Sequence, residues 1–397
     1  MKSGLLIFAA ILVTLGLVLM YQSGKPLHVV LVGNESGATA NRDRYMLSLI
    51  EARLHERGSQ SGFTVSTHRL NASLPPAEME EAMADLAASG HIDLMMGCGD
   101  SFCLRQVLPL AEKFDTTIIY PGASEGLFSS PSLVHLGPVA NQFLFPALSW
   151  IRQHLGTEIM FLGGEDVRSR MLGRMLRQQL LPVSGVSMLS EEYLGSLEQL
   201  PSVISKIDDY RPQVLLLDAC DWLNQQSVVD ALSRAPVRIF SLCTDRVDSV
   251  GDNFYFVSHY YDHPHNQENL RLKNSLTTTP DALQAVAVAS VDILMEVLDE
   301  KSISRQEISY ALRGSNALTA AGSVALDVNS EGSWHTVFIG YRSSQQTKLL
   351  WMSDSLMRPE MFPGMEGPSD WLHHITIYWR NNRGRWRTGS VEGKSWL

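Results

Sequence analysis

The sequence predicts an α/β protein of two doubly wound parallel-sheet lobes joined by a hinge, with an N-terminal apolar helix in front of them. Short Val/Ile/Leu strands alternate with amphipathic helices, which is typical of parallel sheets covered on both faces. The rhythm restarts in the middle of the 397 residues, a length that accommodates two cores. A long apolar helix at 281–298 then returns to the first lobe.

The N-terminal segment, 1–24, predicts export or membrane attachment. Lys2 precedes an apolar run from Leu5 to Met20, and polar residues follow. Such a helix rises about 24 Å, less than the hydrocarbon core of about 30 Å. It fits a signal peptide or a short anchor, and the missing small-x-small cleavage motif favours the anchor. We therefore expect the rest of the chain in the periplasm, tethered to the inner membrane by this helix.

The first lobe is predicted over 25–145, with 280–325 returning to it. Its expected strands are 27–33, 63–70, 92–97 and 116–121. Its expected helices are 46–57, 77–89 and 102–114. A helix at 143–155 crosses to the other lobe.

The second lobe is predicted over 146–279, completed by about 326–365. Its expected strands are 158–164, 213–219 and 237–242, and its expected helices are 169–180, 197–210 and 225–233. Alternating patterns predict further strands at 323–328, 335–341, 347–352 and 374–379. The extension 366–397 ends in a basic stretch from Arg380, interpreted as a frayed, solvated tail, with a contact to lipid or a partner as the alternative.

Charge and cysteine content exclude several classes of protein. A net charge of −10 argues against general binding of nucleic acid. The cysteines contain no C-x-x-C pair, which argues against a zinc site; they are Cys98, Cys103, Cys220 and Cys243. Cys98 and Cys103 could form a disulfide in an oxidising compartment, but buried thiols at strand ends are the favoured interpretation.

Two motifs are compatible with an enzymatic or a metal site and need to be weighed. Ser124 lies in a G-x-S-x-G pattern, but a nucleophile elbow needs a helix directly after it, and a loop follows here. His259, His263 and His265 lie close together with Asp262, but an intervening proline breaks any common helical face. A hydrolase is the third hypothesis, after the two binding or interaction functions given at the end of this subsection. We expect no enzyme, no catalytic residue, no metal and no cofactor.

The strongest candidate site is the strand-to-helix junction from Gly97 to Ser101. Backbone N–H groups and a hydroxyl at a helix N-terminus suit a carboxylate, an amide oxygen or a phosphate. Simple capping of the helix by Asp100 or Ser101 is the alternative, and both can hold. In the second lobe, Asp166 and Asp221 are candidates because each follows a strand that should end at the interlobe cleft.

Several short motifs resemble one branch of a known family. They are Gly97-Cys98 with Ser101 and Val107-Leu108-Pro109, Tyr120-Pro121 with Glu125-Gly126-Leu127, Asn141-Gln142, and Trp351 with Ser353. In this order they resemble the urea- and short-chain-amide-binding proteins of the type 1 periplasmic-binding-protein family, which serve urea ABC transporters and amide-responsive regulators. The resemblance covers 27–365 and implies two α/β lobes that close on a small ligand.

The resemblance also assigns site residues. Ser101 and Tyr120 match the family's pocket-lining serine and tyrosine, and Gly122 stands where a small residue contacts the ligand. Val167 and Ser169 stand where the family has ligand-holding tyrosines, and Gln284 to Ala287 replaces its E-A-A-Y. An unpaired buried polar group costs about 1–3 kcal/mol, so these changes imply a different ligand or a lapsed pocket.

The sequence thus predicts an extracytoplasmic solute-binding protein for a small amide- or urea-like polar ligand. Lobe closure would present a new surface to an ABC transporter permease or to a membrane signalling protein. The alternative is a membrane-tethered regulatory or interaction protein whose ligand pocket has lapsed.

Overall fold

Two mainly parallel sheets and a small antiparallel sheet form the framework of the chain. The computed structural model describes residues 24–37, 39–243, 254–263, 265–276, 279–300, 303–343 and 346–387. The predicted N-terminal helix lies outside these residues. Within the described ranges, no helix combines the length and the apolar character needed to cross a membrane.

The first sheet has the order β2-β1-β3-β4-β5, and every neighbouring pair is parallel. The second has the order β15-β14-β10-β9-β8-β6-β7, antiparallel only at β10-β14 and β14-β15. The third has the order β11-β12-β13. The strands are β1 Lys25–Gly33, β2 Phe63–Asn71, β3 Leu94–Gly97, β4 Thr117–Tyr120, β5 Leu133–His135, β6 Glu158–Gly164, β7 Ser187–Leu194, β8 Val214–Asp218, β9 Arg238–Ser241, β10 Phe254–Ser258, β11 Asn316–Thr319, β12 Gly322–Leu326, β13 Ser333–Trp334, β14 Phe338–Ser343 and β15 Gln346–Met352.

Helices cover both faces of the two large sheets, as the alternating pattern predicts. They are α1 Ala40–Gln60, α2 Pro76–Ala88, α3 Ser101–Lys113, α4 Ala140–His154, α5 Val167–Met175, α6 Leu181–Ser184, α7 Leu200–Tyr210, α8 Gln226–Arg234, α9 Gln267–Ser275, α10 Ala282–Glu300, α11 Ile308–Leu312 and α12 Pro368–Asn381. A π-helical turn, Leu176–Leu180, joins α5 to α6, and 3-10 turns occupy Leu197–Gln199, Cys220–Asn224 and Arg305–Glu307.

Strand β1 shows why its sequence is almost continuously apolar. Val29 and Leu31 belong to the core shared with α1 and α10, while Val30 and Val32 belong to the core shared with α2 and α3. Successive side chains point to opposite faces of a sheet, so a sheet covered on both sides needs apolar residues at every position. The second sheet repeats this arrangement, with α4, α5 and α12 on one face and α7 and α8 on the other.

The connections between the two large sheets meet at a buried hydrogen-bonded junction. Fully buried Gln142, at the start of α4, donates from Nε2 to the carbonyl oxygens of Ser333 and Met357, both at 2.8 Å. His335 Nε2 lies 2.7 Å from the Leu136 carbonyl oxygen, and His259 Nε2 lies 3.2 Å from that of Gln142. Three chain segments are therefore tied together between the two large sheets, and we call this the hinge junction.

Both pairs of cysteines are disulfide-bonded, so the interpretation of Cys98 and Cys103 as buried thiols is wrong. Cys98 pairs with Cys103 and Cys220 pairs with Cys243, each with a Cα–Cα distance of 5.4 Å. The turn after β3 and the first turn of α3 bring the first pair together. The second pair joins the ends of two adjacent strands, β8 and β9, and this proximity is set by the fold and not by sequence spacing.

The predicted strand at 374–379 is wrong, because this segment lies within helix α12. Pro368 occupies the first turn of that helix, where its fixed φ is favourable. Trp371 and Ile375, four residues apart, are both buried in the core of the second lobe. This helical spacing of apolar contacts overrides the alternating β-branched pattern.

Candidate functional site

A cleft between the lobes lies at the carboxyl ends of β3, β6 and β8. On the first lobe, β3 ends at Gly97, which has a φ of 133°, and a Cβ there would collide with the carbonyl oxygen of Val32. Asp100 then caps α3 by accepting a hydrogen bond from the Cys103 N–H at 2.8 Å. The sharp turn places the Asp100 carboxylate and Ser101 at the wall of the cleft.

The second lobe presents a matching junction. Asp166 follows β6 and caps α5 by accepting from the Ser169 N–H at 2.8 Å. Ser169 Oγ donates to the Asp218 carboxylate at 2.8 Å, and the Arg168 guanidinium lies 3.0 Å from the other Asp218 oxygen. Both lobes therefore aim a helix-capping aspartate into the same space.

The cleft is acidic. The two lobes line it with four aspartates and two arginines, which are Asp100, Asp166, Asp218, Asp221, Arg42 and Arg168. Burial raises the pKa of Asp166, although attraction to Arg387 opposes that shift. Behind this wall lies Asp43, which is fully buried, and its burial raises its pKa to about 6 despite the neighbouring Arg42.

The C-terminal segment 382–387 enters this cleft, which corrects the interpretation of a frayed, solvated tail as far as Arg387. The Arg387 guanidinium lies 2.8 Å from the Asp221 carboxylate and 3.5 Å from that of Asp100, so it joins the two lobes. Burial alone would lower the pKa of Arg387, but attraction to Asp221, Asp100 and Asp166 outweighs it and raises the pKa. The guanidinium also lies over the Phe102 ring, 5.0 Å from its centroid.

Trp386 anchors the same segment. Its carbonyl oxygen accepts a hydrogen bond from the Val167 N–H at 3.0 Å. The centroid of its ring lies 5.4 Å from the guanidinium of Arg105, which also lies 4.4 Å from the centroid of the Phe128 ring. Arg105 is in turn ion-paired with the fully buried Glu125. With the segment in place, a cavity of about 40 Å³ remains, against about 300–1,000 Å³ for a pocket that holds a small ligand.

The structure brings three of the five predicted site residues to the cleft: Ser101, Asp166 and Asp221 line it. Tyr120 and Gly122 lie one layer behind. The fully buried Tyr120 donates its hydroxyl to the carbonyl oxygen of Ala123 at 2.9 Å, and Ala123 is the residue that reaches the cavity. The substituted positions, Val167 and Ser169, do line the cavity.

Sequence reasoning did not select Asp100, Asp218, Arg42, Arg168 or Arg387. Asp100 follows a predicted strand just as Asp166 does, but its place at the start of a helix predicts only a capping role. Asp218 lies inside the predicted apolar strand 213–219, so the pattern does not mark it as a residue at the edge of the sheet. Arg387 lies in the basic, tryptophan-containing stretch at the end of the sequence. That composition indicates a contact but does not show which surface the stretch contacts.

The residues considered for enzymatic or metal chemistry lie elsewhere. Ser124 is fully buried, and its Oγ accepts from the Gly126 N–H at 3.0 Å. His259 is buried at the hinge, while His263 and His265 are exposed. Over the part of the chain that the structure describes, no three His, Cys, Asp or Glu side chains are grouped so that they could hold a metal ion.

Comparisons with known proteins find one matching family model and several solved structures with a similar fold. Residues 27–220 match the family model described as "Periplasmic binding protein domain". A solute-binding protein of an ABC transporter from Rhodopseudomonas palustris BisB5, solved with 3,4-dihydroxybenzoic acid, has a TM-score of 0.73 at 12% identity, covering 84% of this chain and 99% of its own. A branched-chain amino acid transporter substrate-binding protein from Streptococcus pneumoniae, solved with isoleucine, has a TM-score of 0.69 at 13% identity, covering 82% and 99%.

A third similar structure is an amino acid ABC transporter substrate-binding protein from Pseudomonas fluorescens Pf-5, with a TM-score of 0.70 at 14% identity, covering 84% of this chain and 97% of its own. At these identities the likeness establishes the fold, which is that of extracytoplasmic solute-binding proteins of ABC transporters. The matched family and these structures are solute-binding proteins and not enzymes, in agreement with the sequence prediction.

Proposed function

We infer that this chain, which has the fold of extracytoplasmic solute-binding proteins, binds a small polar ligand between its lobes. The observation that carries this function is the cleft itself, where strand ends of both lobes aim carboxylates at one guanidinium group. Asp100 and Asp221 accept hydrogen bonds, so the preferred ligand is one that donates N–H groups. Amides and urea are planar N–H donors of this kind, which supports an amide- or urea-like ligand.

The proposed roles of the site residues follow from their positions. Ser101, Asp166 and Asp221 contact the ligand, and Tyr120 and Gly122 shape the wall behind Ala123. Lobe closure on the ligand presents a surface to an ABC transporter permease or to a membrane signalling protein. The ligand needs only a higher affinity for the closed arrangement than for the open one.

A thermal-shift screen of the full chain tests this function. The ligands are urea, short amides, amino acids and small guanidinium compounds, each at several concentrations. A ligand at 100 times its dissociation constant adds about 2.7 kcal/mol to the free energy of unfolding, a readily visible shift. Asp221→Asn should abolish that shift. The matched control is Asp230→Asn, which alters an aspartate on α8 that is not among the residues lining the cleft.

One observation favours the second candidate, a regulatory or interaction protein with a lapsed pocket, tethered to the membrane. The chain's own segment fills the cleft and leaves about 40 Å³. In that case the lobes are held together permanently and only their outer surface is used. A screen in which neither the wild type nor a variant with a weakened C-terminal segment responds to any solute would support this candidate.

A further inference from the structure

We propose that the acidic part of the cleft is a guanidinium-binding subsite, and that Arg387 of the chain's own C-terminal segment occupies it as a built-in competitor of a guanidinium-bearing solute. This proposal rests on the proposed solute-binding function and names its ligand class and its regulation. The first observation is the position of the Arg387 guanidinium. It contacts a carboxylate of each lobe, 2.8 Å away at Asp221 and 3.5 Å away at Asp100.

The subsite suits a guanidinium better than a compact ammonium. A guanidinium is flat, carries its charge at all relevant pH values, and can stack on an aromatic ring while its edges donate hydrogen bonds. Here the flat group lies over Phe102, with the two carboxylates at its edge. The Arg387 side chain retains 25% of its exposure, so it does not close the subsite off from solution.

The segment contacts the lobes as a bound ligand does. In the first lobe it contacts Asp100, Phe102 and Arg105, and in the second it contacts Val167 and Asp221. A group that touches both sides of a cleft favours the closed arrangement of the lobes. The segment therefore makes, without any solute, the contacts to both lobes that a bound solute would make and that favour the closed arrangement.

Tethering makes the segment an effective competitor. α12 ends at Asn381 and is fixed on the second lobe by its buried Trp371, so only a few residues separate a rigid anchor from Arg387. A short link that reaches its binding site gives an effective concentration of about the millimolar range or above. A free guanidinium solute must compete with the tethered Arg387 for the same subsite. Removing Arg387 should therefore strengthen the binding of the free solute.

Isothermal titration calorimetry with guanidinium chloride at low ionic strength tests the proposal on the full chain. We expect Arg387→Ala to bind guanidinium at least 10-fold more tightly than the wild type. The matched control, Arg385→Ala, changes an exposed arginine two positions away and should behave like the wild type. Arg387→Lys keeps the charge without the planar fork and should give an intermediate affinity.

A double variant and a solute panel complete the design. Arg387→Ala combined with Asp221→Asn should lose the gained affinity, and circular dichroism checks that each variant folds. Equal guanidinium affinities of Arg387→Ala, Arg385→Ala and the wild type would overturn the proposal. If Arg387→Ala instead binds urea, an amide or an amino acid but not guanidinium, the guanidinium assignment fails while the solute-binding function stands. If it binds nothing in the panel, both fail.

Discussion

At the residue scale, Gly97 is the position where backbone conformation determines the cleft. Its φ of 133° is accessible to glycine but strained for other residues, and a Cβ would collide with the Val32 carbonyl oxygen of the adjacent strand. We predict that Gly97→Ala lowers the free energy of unfolding by about 2–3 kcal/mol, as measured by urea denaturation.

The control for Gly97→Ala is Gly90→Ala, because Gly90 has a φ of 72° and open space where a Cβ would lie. It carries only the left-handed backbone cost of about 1 kcal/mol. Equal losses in the two variants would show that the collision with Val32 contributes nothing.

The charged residues of the cleft show what local sequence could and could not reveal. Asp166 and Asp221 were predictable, because a polar residue directly after a buried strand is expected at the carboxyl edge of a parallel sheet. Arg387 was not, because its partners Asp100 and Asp221 are far from it in sequence and meet it only in the fold.

At the element scale, α12 positions the C-terminal segment. Trp371 is fully buried, whereas its neighbour Leu372 is 51% exposed. We predict that Trp371→Ala lowers the free energy of unfolding by about 3–5 kcal/mol, while Leu372→Ala changes it by less than about 0.5 kcal/mol. Chemical denaturation of both variants measures the difference.

Trp371→Ala should also loosen the segment, because the anchor before Arg387 is weakened. Its guanidinium affinity should therefore rise toward that of Arg387→Ala, in the same titration. If Trp371→Ala is destabilised as expected but binds guanidinium no better than the wild type, α12 does not control the binding of guanidinium in the cleft.

The elements that sequence reasoning placed correctly are those with a strong pattern. Strands β1, β6 and β8 are continuous apolar runs, and α10 is a long apolar helix, so each was predicted within a few residues. Strand β7 was missed because its residues are mostly half-buried at the sheet edge and form no apolar run. The pattern at 374–379 misled because Ile375, Ile377 and the aromatic residues around them are compatible with either structure until Trp371 is known to be buried.

At the scale of the whole molecule, the hinge junction predicts a dependence of stability on pH. His259 and His335 are buried at this junction, and His135, the last residue of β5, is buried with its Nε2 2.9 Å from the Gly122 carbonyl oxygen. Desolvation lowers the pKa values of all three below 6.5, to about 4 for His135 and His335. In the unfolded chain they titrate near 6.5, so between pH 6.5 and 4 the unfolded state binds protons that the native state does not. The histidine contribution to the free energy of unfolding is therefore fully present above pH 6.5 and should be lost as the pH drops toward 4.

The size of the effect follows from the shifts. A shift from 6.5 to about 4 corresponds to on the order of 3 kcal/mol per histidine. Asp43, Asp166 and Asp292 act in the opposite direction, because burial raises their pKa values, to about 6 for Asp43, and the native state takes up their protons first. Urea denaturation at a series of pH values should show a net loss, and His135→Gln should reduce the slope by up to about 1.4 kcal/mol per pH unit. An unchanged slope in that variant would contradict the prediction.

The two disulfides have a consequence for how the protein must be made. Cys98–Cys103 brackets Asp100 and Ser101, and Cys220 precedes Asp221, so each crosslink holds one acidic wall of the cleft. Protein produced in a reducing cytosol would lack both crosslinks, even where the sheets assemble. A binding assay on such material would measure a cleft whose walls lack their crosslinks. The protein should therefore be expressed with export to an oxidising compartment before any ligand screen.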